Sequence, residues 1–257
     1  MFHFKGIMQI LNLKVAVVSV MAVISTYLCI KYQIMADFPL TIIATAIIFP
    51  VVFSIGGAYK RREKALDHYG KLKAHGRAIF FAARDWMADA DDASLQRIKD
   101  EMTNLFNNCR GLFTKPVSEM RDNEDAVYKS FSNLSRIIRE ELRDKGLASG
   151  EVSRCNQFLS KMFADFEMVK HIYQYRTPQS LRSFSDFFIT LLPIIYGPYF
   201  AEIAQEFSPS MTYVMPVLFT VVLVSLDNIQ EHLENPFDEV GEDDVMINTD
   251  KFIERLY

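Results

Sequence analysis

Apolar residues in this chain fall into four blocks rather than being spread along it. The first, residues 14–30 (KVAVVSVMAVISTYLCI), is almost wholly apolar. With Ile10 and Leu11 before it and residues 32–35 after it, this block reaches the roughly 20 residues a bilayer requires. A second block covers 39–59 and ends in Lys60, Arg61, Arg62 and Lys64. From 60 to about 182, apolar positions recur at helical spacing between charged ones, with no strand alternation. Residues 184–200 (FSDFFITLLPIIYGPYF) and 211–226 (MTYVMPVLFTVVLVSL) form the third and fourth blocks. The pattern predicts an all-α membrane protein with four transmembrane helices and a cytoplasmic helical bundle between the second and third. The expected divisions are 1–59, an amphipathic N-terminus and helices one and two; 60–182, the helical domain; 183–227, helices three and four; and 228–257, a C-terminal tail.

Local signals refine this. Phe4, Ile7, Met8 and Leu11 share a face of an amphipathic start, expected to lie at the membrane interface or to pack on a neighbouring subunit. Lys14 and Lys31 are placed to snorkel to opposite interfaces. Asp37 and Pro39 mark a short turn, and Pro39 suits the first turn of helix two. Pro50 lies inside that helix, where it removes a backbone bond, bends the helix and leaves a carbonyl needing protein or water. Gly56-Gly57 reads equally as a hinge or a close-packing spot. Pro193 and Gly197-Pro198 kink or break the third block, and Asp186 near its end is expected to stay hydrated. In the bundle, Asp91 or Asp92 is an N-cap, a helix over 123–144 closes at Gly146, and another covers 151–175. The loop between blocks one and two carries no Lys or Arg, whereas residues 60–64 are basic. Both termini are therefore expected in the cytoplasm, with a bacterial inner membrane as the expected location and an organellar one as the alternative.

Composition narrows the function. The 257 residues are 50% hydrophobic and 23% charged, with net charge -4 and pI near 5.8. That balance argues against nucleic-acid binding. Cys29, Cys109 and Cys155 are far apart and form no CxxC, so free thiols are expected. There is no GxSxG, HExxH, P-loop or GxGxxG, and the chain is not expected to be an enzyme. His68 and His75 lie two helical turns apart, about 10 Å along the axis, too far to share a metal. After Asn235-Pro236-Phe237 comes an acidic run of Asp238, Glu239, Glu242, Asp243 and Asp244. It reads as a solvated segment or, with Asn235, as a set of oxygen ligands for calcium, although the EF-hand spacing is absent. No other cofactor is expected.

Thr45, Phe49 and Phe53 recur every four residues and so lie on one helical face, a pattern that by itself is ordinary helix packing. It gains weight from two distant segments. Residues 39–66, PLTIIATAIIFPVVFSIGGAYKRREKAL, resemble the second membrane helix of the bestrophin channels. Bacterial members there carry a Pro-Phe-Thr-Leu start, a Leu-Gly-Phe, then Tyr-x-Arg and an Ala; the matches are Pro39, Thr41, Phe53, Tyr59, Arg61 and Ala65. The tail LDNIQEHLENPFDEVGEDDVMINTDKFIERL resembles the bestrophin segment of Asn/Asp-Pro-Phe, an acidic stretch and a following helix, through Asn235, Pro236, Phe237, Asp244 and residues 253–256.

The resemblance implies a homopentamer in a lipid bilayer around one path for permeant monovalent ions, with Thr45, Phe49 and Phe53 as a hydrophobic neck. Chloride or similar anions are the expected cargo. A monovalent-cation channel of the same architecture and a non-conducting membrane scaffold are the alternatives. The chain departs from the family pattern at several points. Thr45 stands where an aliphatic residue is usual, Pro50 follows Phe49, and Arg62-Glu63 replaces a Trp-Trp pair. The acidic tail is spaced more like bacterial members, which lack calcium regulation.

Overall fold

The computed structural model describes residues 10–37, 40–87, 91–175, 178–207, 211–237, 239 and 244–256. Among these, every regular element is helical. Two compact units are present: Met1–Lys60 with Arg176–Asn235, and Arg61–Tyr175 with Pro236–Tyr257.

The first unit holds α1 (Leu13–Lys31), the first part of α2 (Leu40–Trp86), α6 (Gln179–Ile195), α7 (Gly197–Phe207) and α8 (Val214–Glu234). Asn12 caps α1, its side chain accepting from the Val15 amide at 3.3 Å. Helix α1 packs on α6, α7 and α8. The core joins Val15 and Val18 to Ile47, Val51, Ile189, Leu192, Tyr196, Phe200, Leu223 and Val224. Val17, Val20, Ile24 and Leu28 on the outer side of α1 are exposed, as suits a helix whose solvent is lipid. Among the described residues, four helical segments are long and apolar enough to cross a membrane: Leu13–Lys31, Ile42–Trp86, Gln179–Ile203 (α6 with the start of α7) and Val214–Glu234.

The third apolar block breaks where its chemistry requires. Helix α6 continues past Pro193 and ends at Ile195. Pro198 has no N–H to offer the Ile194 carbonyl four residues back. The Ser25 hydroxyl on α1 donates to that carbonyl instead, at 2.7 Å. This requires α1 to come close, and Gly197 allows it: a Cβ there would stand 3.1 Å from the Ser25 carbonyl carbon and 3.2 Å from Cys29 Sγ.

One helix end differs from expectation. The tail was expected from residue 228, and α8 runs on past that point to Glu234. Asp227, Asn228 and Gln230 are buried and polar, and the first two find partners near the start of the chain. Asn228 donates to the Ile10 carbonyl at 2.6 Å and accepts from the Asn12 amide at 3.1 Å.

The second unit contains the rest of α2, then α3 (Asp92–Thr114), α4 (Met120–Ile137), a π-helical turn over Ile138–Arg143, α5 (Ser149–Gln174) and the short α9 (Thr249–Ile253). The second apolar block therefore does not end its helix near Tyr59; one helix continues to Trp86. Asp91 is the N-cap of α3, accepting from the Ser94 amide at 2.7 Å. Gly146, at φ +90, closes the turn after Arg143 in a conformation that suits glycine. The core is large and aromatic, with Phe80, Phe106, Phe166, Phe237 and Phe252 fully buried. The tail contributes to it: Phe237 stacks on Phe113 at 4.9 Å and Phe252 lies 4.4 Å from Phe106. All three cysteines are buried free thiols.

A charged cluster ties α3 to the π-helical turn. Glu141 is buried and accepts from the Ser94 hydroxyl at 2.6 Å. It pairs with Lys145 at 2.8 Å and with Arg97. The Lys145 ammonium and the Ser94 hydroxyl hold the Glu141 carboxyl well below its ordinary range, at about 2.

Candidate functional site

Helix α2 has two apolar faces with different surroundings. Ile47, Val51, Ser54 and Ala58 are buried against their own chain. Thr45, Phe49 and Phe53 are exposed. At about 100° per residue, the three-residue stripe centres about 170° around the helix from the buried set. Phe49 and Phe53 are 61% and 63% exposed, against 1% for Val51 between them. Their rings meet edge to face, 4.6 Å apart. From Thr45 to Phe53 the stripe covers about 12 Å of axis. Among the described residues, it is a largely apolar face that its own chain leaves mostly uncovered.

The other positions on this helix are placed as follows. Pro50 lies inside α2, which does not end there; it has no N–H for the Ala46 carbonyl, and Ala46 is exposed. A Cβ added to Gly56 or Gly57 would meet nothing within 4 Å. Close packing inside the chain is therefore not what these glycines serve. Lys60 is exposed, Arg61 and Arg62 are half-buried, and Arg62 pairs with Glu63 at 2.8 Å. Pro39 and residues 1–9 of the amphipathic start lie outside the described residues.

The sequence reading missed a charge network in the same unit. Lys14 was expected to snorkel to an interface; instead its ammonium lies between Asp186, at 2.5 Å, and Asp227, at 2.6 Å. Asp227 is only 10% exposed at its side chain, whereas Asp186 is 53% exposed. Nearby on α6 and α8, Arg182 pairs with Glu231 at 3.0 Å and Glu234 at 3.1 Å. Two cations thus face four carboxylates. The only trace in sequence is a lone charge near one end of each of three apolar blocks.

In the second unit, His68 and His75 share a partner but no metal-binding geometry. Asp165 on α5 is 2.8 Å from His68 Nδ1 and 3.5 Å from His75 Nε2. Of the calcium candidates, Asp238, Glu242 and Asp243 lie outside the described residues. Asn235 and Asp244 are half-buried. Glu239 accepts from Arg110 Nε and Nη2, at 2.8 and 2.7 Å, a pairing any cation would have to displace. Among the described residues, no group of three His, Cys, Asp or Glu side chains is arranged to hold a metal.

No protein-family model matches the sequence, and no curated protein matches it. Solved structures do match. A bacterial bestrophin homologue from Klebsiella pneumoniae superposes with TM-score 0.76 at 15% identity, over 95% of this chain and 96% of that one. A point variant of a bestrophin homologue from the same organism gives TM-score 0.71 at 20% identity, over 98% and 97%. A structure described only as a membrane protein gives 0.73 at 19% identity, over 94% of each. With this likeness along nearly its whole length and four helices of spanning length, the chain is an integral membrane protein with the bestrophin fold.

Proposed function

We propose that this chain assembles into a homopentameric ion channel whose path follows the exposed face of α2, with Thr45, Phe49 and Phe53 as a hydrophobic neck for chloride or other monovalent anions. The observation that carries this reading is the position of the stripe, opposite the face that packs on its own chain. A cyclic assembly would turn that face toward the axis and repeat it as rings. A ring of phenylalanines can gate by dewetting, and the positive edges of the rings can face an anion. Lys60 shares the stripe's side of α2, at about 20° from its centre, and would set a basic group beyond the neck. Pro50, Gly56 and Gly57 are the points where α2 would bend. Residues 60–64 would lie in the cytoplasm of a bacterial inner membrane, with both termini on that side.

A second reading, a monovalent-cation channel of the same build, is favoured by the excess of carboxylates around Lys14 and Arg182. Selectivity depends on the few groups that face the path, so one measurement separates the two. Purified protein is recorded in planar bilayers under a NaCl gradient. Reversal near the chloride equilibrium potential supports the anion channel, and reversal near that of sodium overturns it in favour of the cation channel. Monomers in mild detergent without current would overturn both and favour a scaffold.

A further inference from the structure

We propose that the groove between the π-helical turn and the start of α5 is a binding site for a phosphate or diphosphate group. It encloses about 280 Å³. Arg136, Arg139 and Arg143 line it together with Ser135 and Asn156, over a floor of buried Ile138 and Val152. The arginines stand at i, i+3 and i+7, so they project from one side of the helix. No carboxylate lines the groove.

Three nearby or buried cations of this unit, by contrast, are matched: Arg97 by Glu140 and Glu141, Lys145 by Asp91 and Glu141, and Lys170 by Glu124 and Glu167. Around the groove, Arg139 meets one oxygen of Glu140 at 3.2 Å, and Arg136 donates to the Asn133 side chain. Arg143 has no ion-pair partner among the described residues. Three exposed guanidinium forks sharing one groove make it a favourable place for an anion of charge two or more. A single carboxylate fills one fork, whereas phosphate oxygens can fill several, and guanidinium geometry suits bidentate pairing with phosphate. The Ser135 hydroxyl and the Asn156 amide add neutral donors, and the groove has room for a second phosphate. Arg139 and Arg143 are carried on the π-helical turn, a rare backbone form found mostly at functional sites, and Arg136 stands just before it near the end of α4.

The test is titration of the full-length protein with inorganic pyrophosphate by calorimetry at constant ionic strength. It uses the parent, Arg136→Gln/Arg143→Gln, and Lys129→Gln as an exposed charge-loss control. Saturable binding that weakens at least about tenfold in the double variant and is unchanged in the control is the expected result. Absence of saturable binding in the parent, or equal affinity in the double variant, overturns the site. Loss of assembly in the double variant without binding by the parent also overturns it, and reassigns the arginines to a contact between copies. Repeating the titration in phosphatidylcholine nanodiscs with and without phosphatidic acid identifies the source of the phosphate. Competition by the lipid makes it a headgroup and no competition makes it a soluble ligand; both outcomes support recognition of a phosphate group. The readout is binding, so it stands or falls separately from conduction.

Discussion

Replacing Lys14 with Met tests whether the charge network holds the membrane helices together. Its ammonium lies 2.5 Å from Asp186 and 2.6 Å from Asp227. Met keeps the length of the stem and removes the charge, leaving Asp227, 10% exposed, without its cation. Breaking a buried pair from one side costs about 3–5 kcal/mol. Lys14 is 30% exposed and Asp186 more than half, so solvent offsets part of the loss and about 2–3 kcal/mol is expected. For a chain of this length that lowers the melting temperature by roughly 5–10 °C. Asp227→Asn removes the stranded charge and keeps the shape. The double variant Lys14→Met/Asp227→Asn should therefore recover at least half of the loss, a coupling of about 1–2 kcal/mol. The assay is the fraction of detergent-purified protein that remains folded in size-exclusion chromatography after heating. If the two single losses sum to the double loss within about 0.5 kcal/mol, the pair carries no coupling and the reasoning is refuted.

Phe49→Ala/Phe53→Ala should raise unit current several-fold with little change in melting temperature, because both rings are mostly exposed in the chain; unchanged current would remove these residues from the neck. Glu141 has its carboxyl lowered from 4.5 to about 2 by Lys145 and Ser94, so its contribution is complete above pH 4.5 and is lost as pH falls toward 2. With Arg97 and Lys145 partly exposed, the contribution is discounted to about 1–2 kcal/mol. Glu141→Gln should cost that much at pH 7 and flatten the acid limb of a stability-against-pH curve, and an unchanged limb would contradict the assignment. Gly197→Ala should lower thermal stability by about 1–3 kcal/mol, since its Cβ would crowd Ser25 and Cys29; a neutral result would mean that α1 shifts freely there.

The four blocks, the caps and the glycine closure were legible because each rests on contacts within one or two turns. Asp91 reaches Ser94 and Gly146 turns its own backbone; a window of sequence contains both the residue and its reason. Helix ends set by distant partners were not legible. Asp227 reads as the last residue before a soluble tail, yet the helix runs seven residues on, and Asp227 pairs with Lys14, more than two hundred residues earlier. The π-helical turn was equally invisible, since IIREELR reads as ordinary helix throughout. The proposed neck lies between these cases. Phe49 and Val51 are both apolar, so periodicity places them on different sides of α2 without saying which side its own chain would cover. Resemblance to a family singled out Thr45, Phe49 and Phe53, and the fold then left that side uncovered while burying Val51. An apolar face that spans about 12 Å of α2, beside the exposed Ala46 whose carbonyl Pro50 leaves without its N–H, would suit the neighbouring copy and water-filled path of the proposed channel better than lipid alone, because hydrocarbon offers that carbonyl no partner.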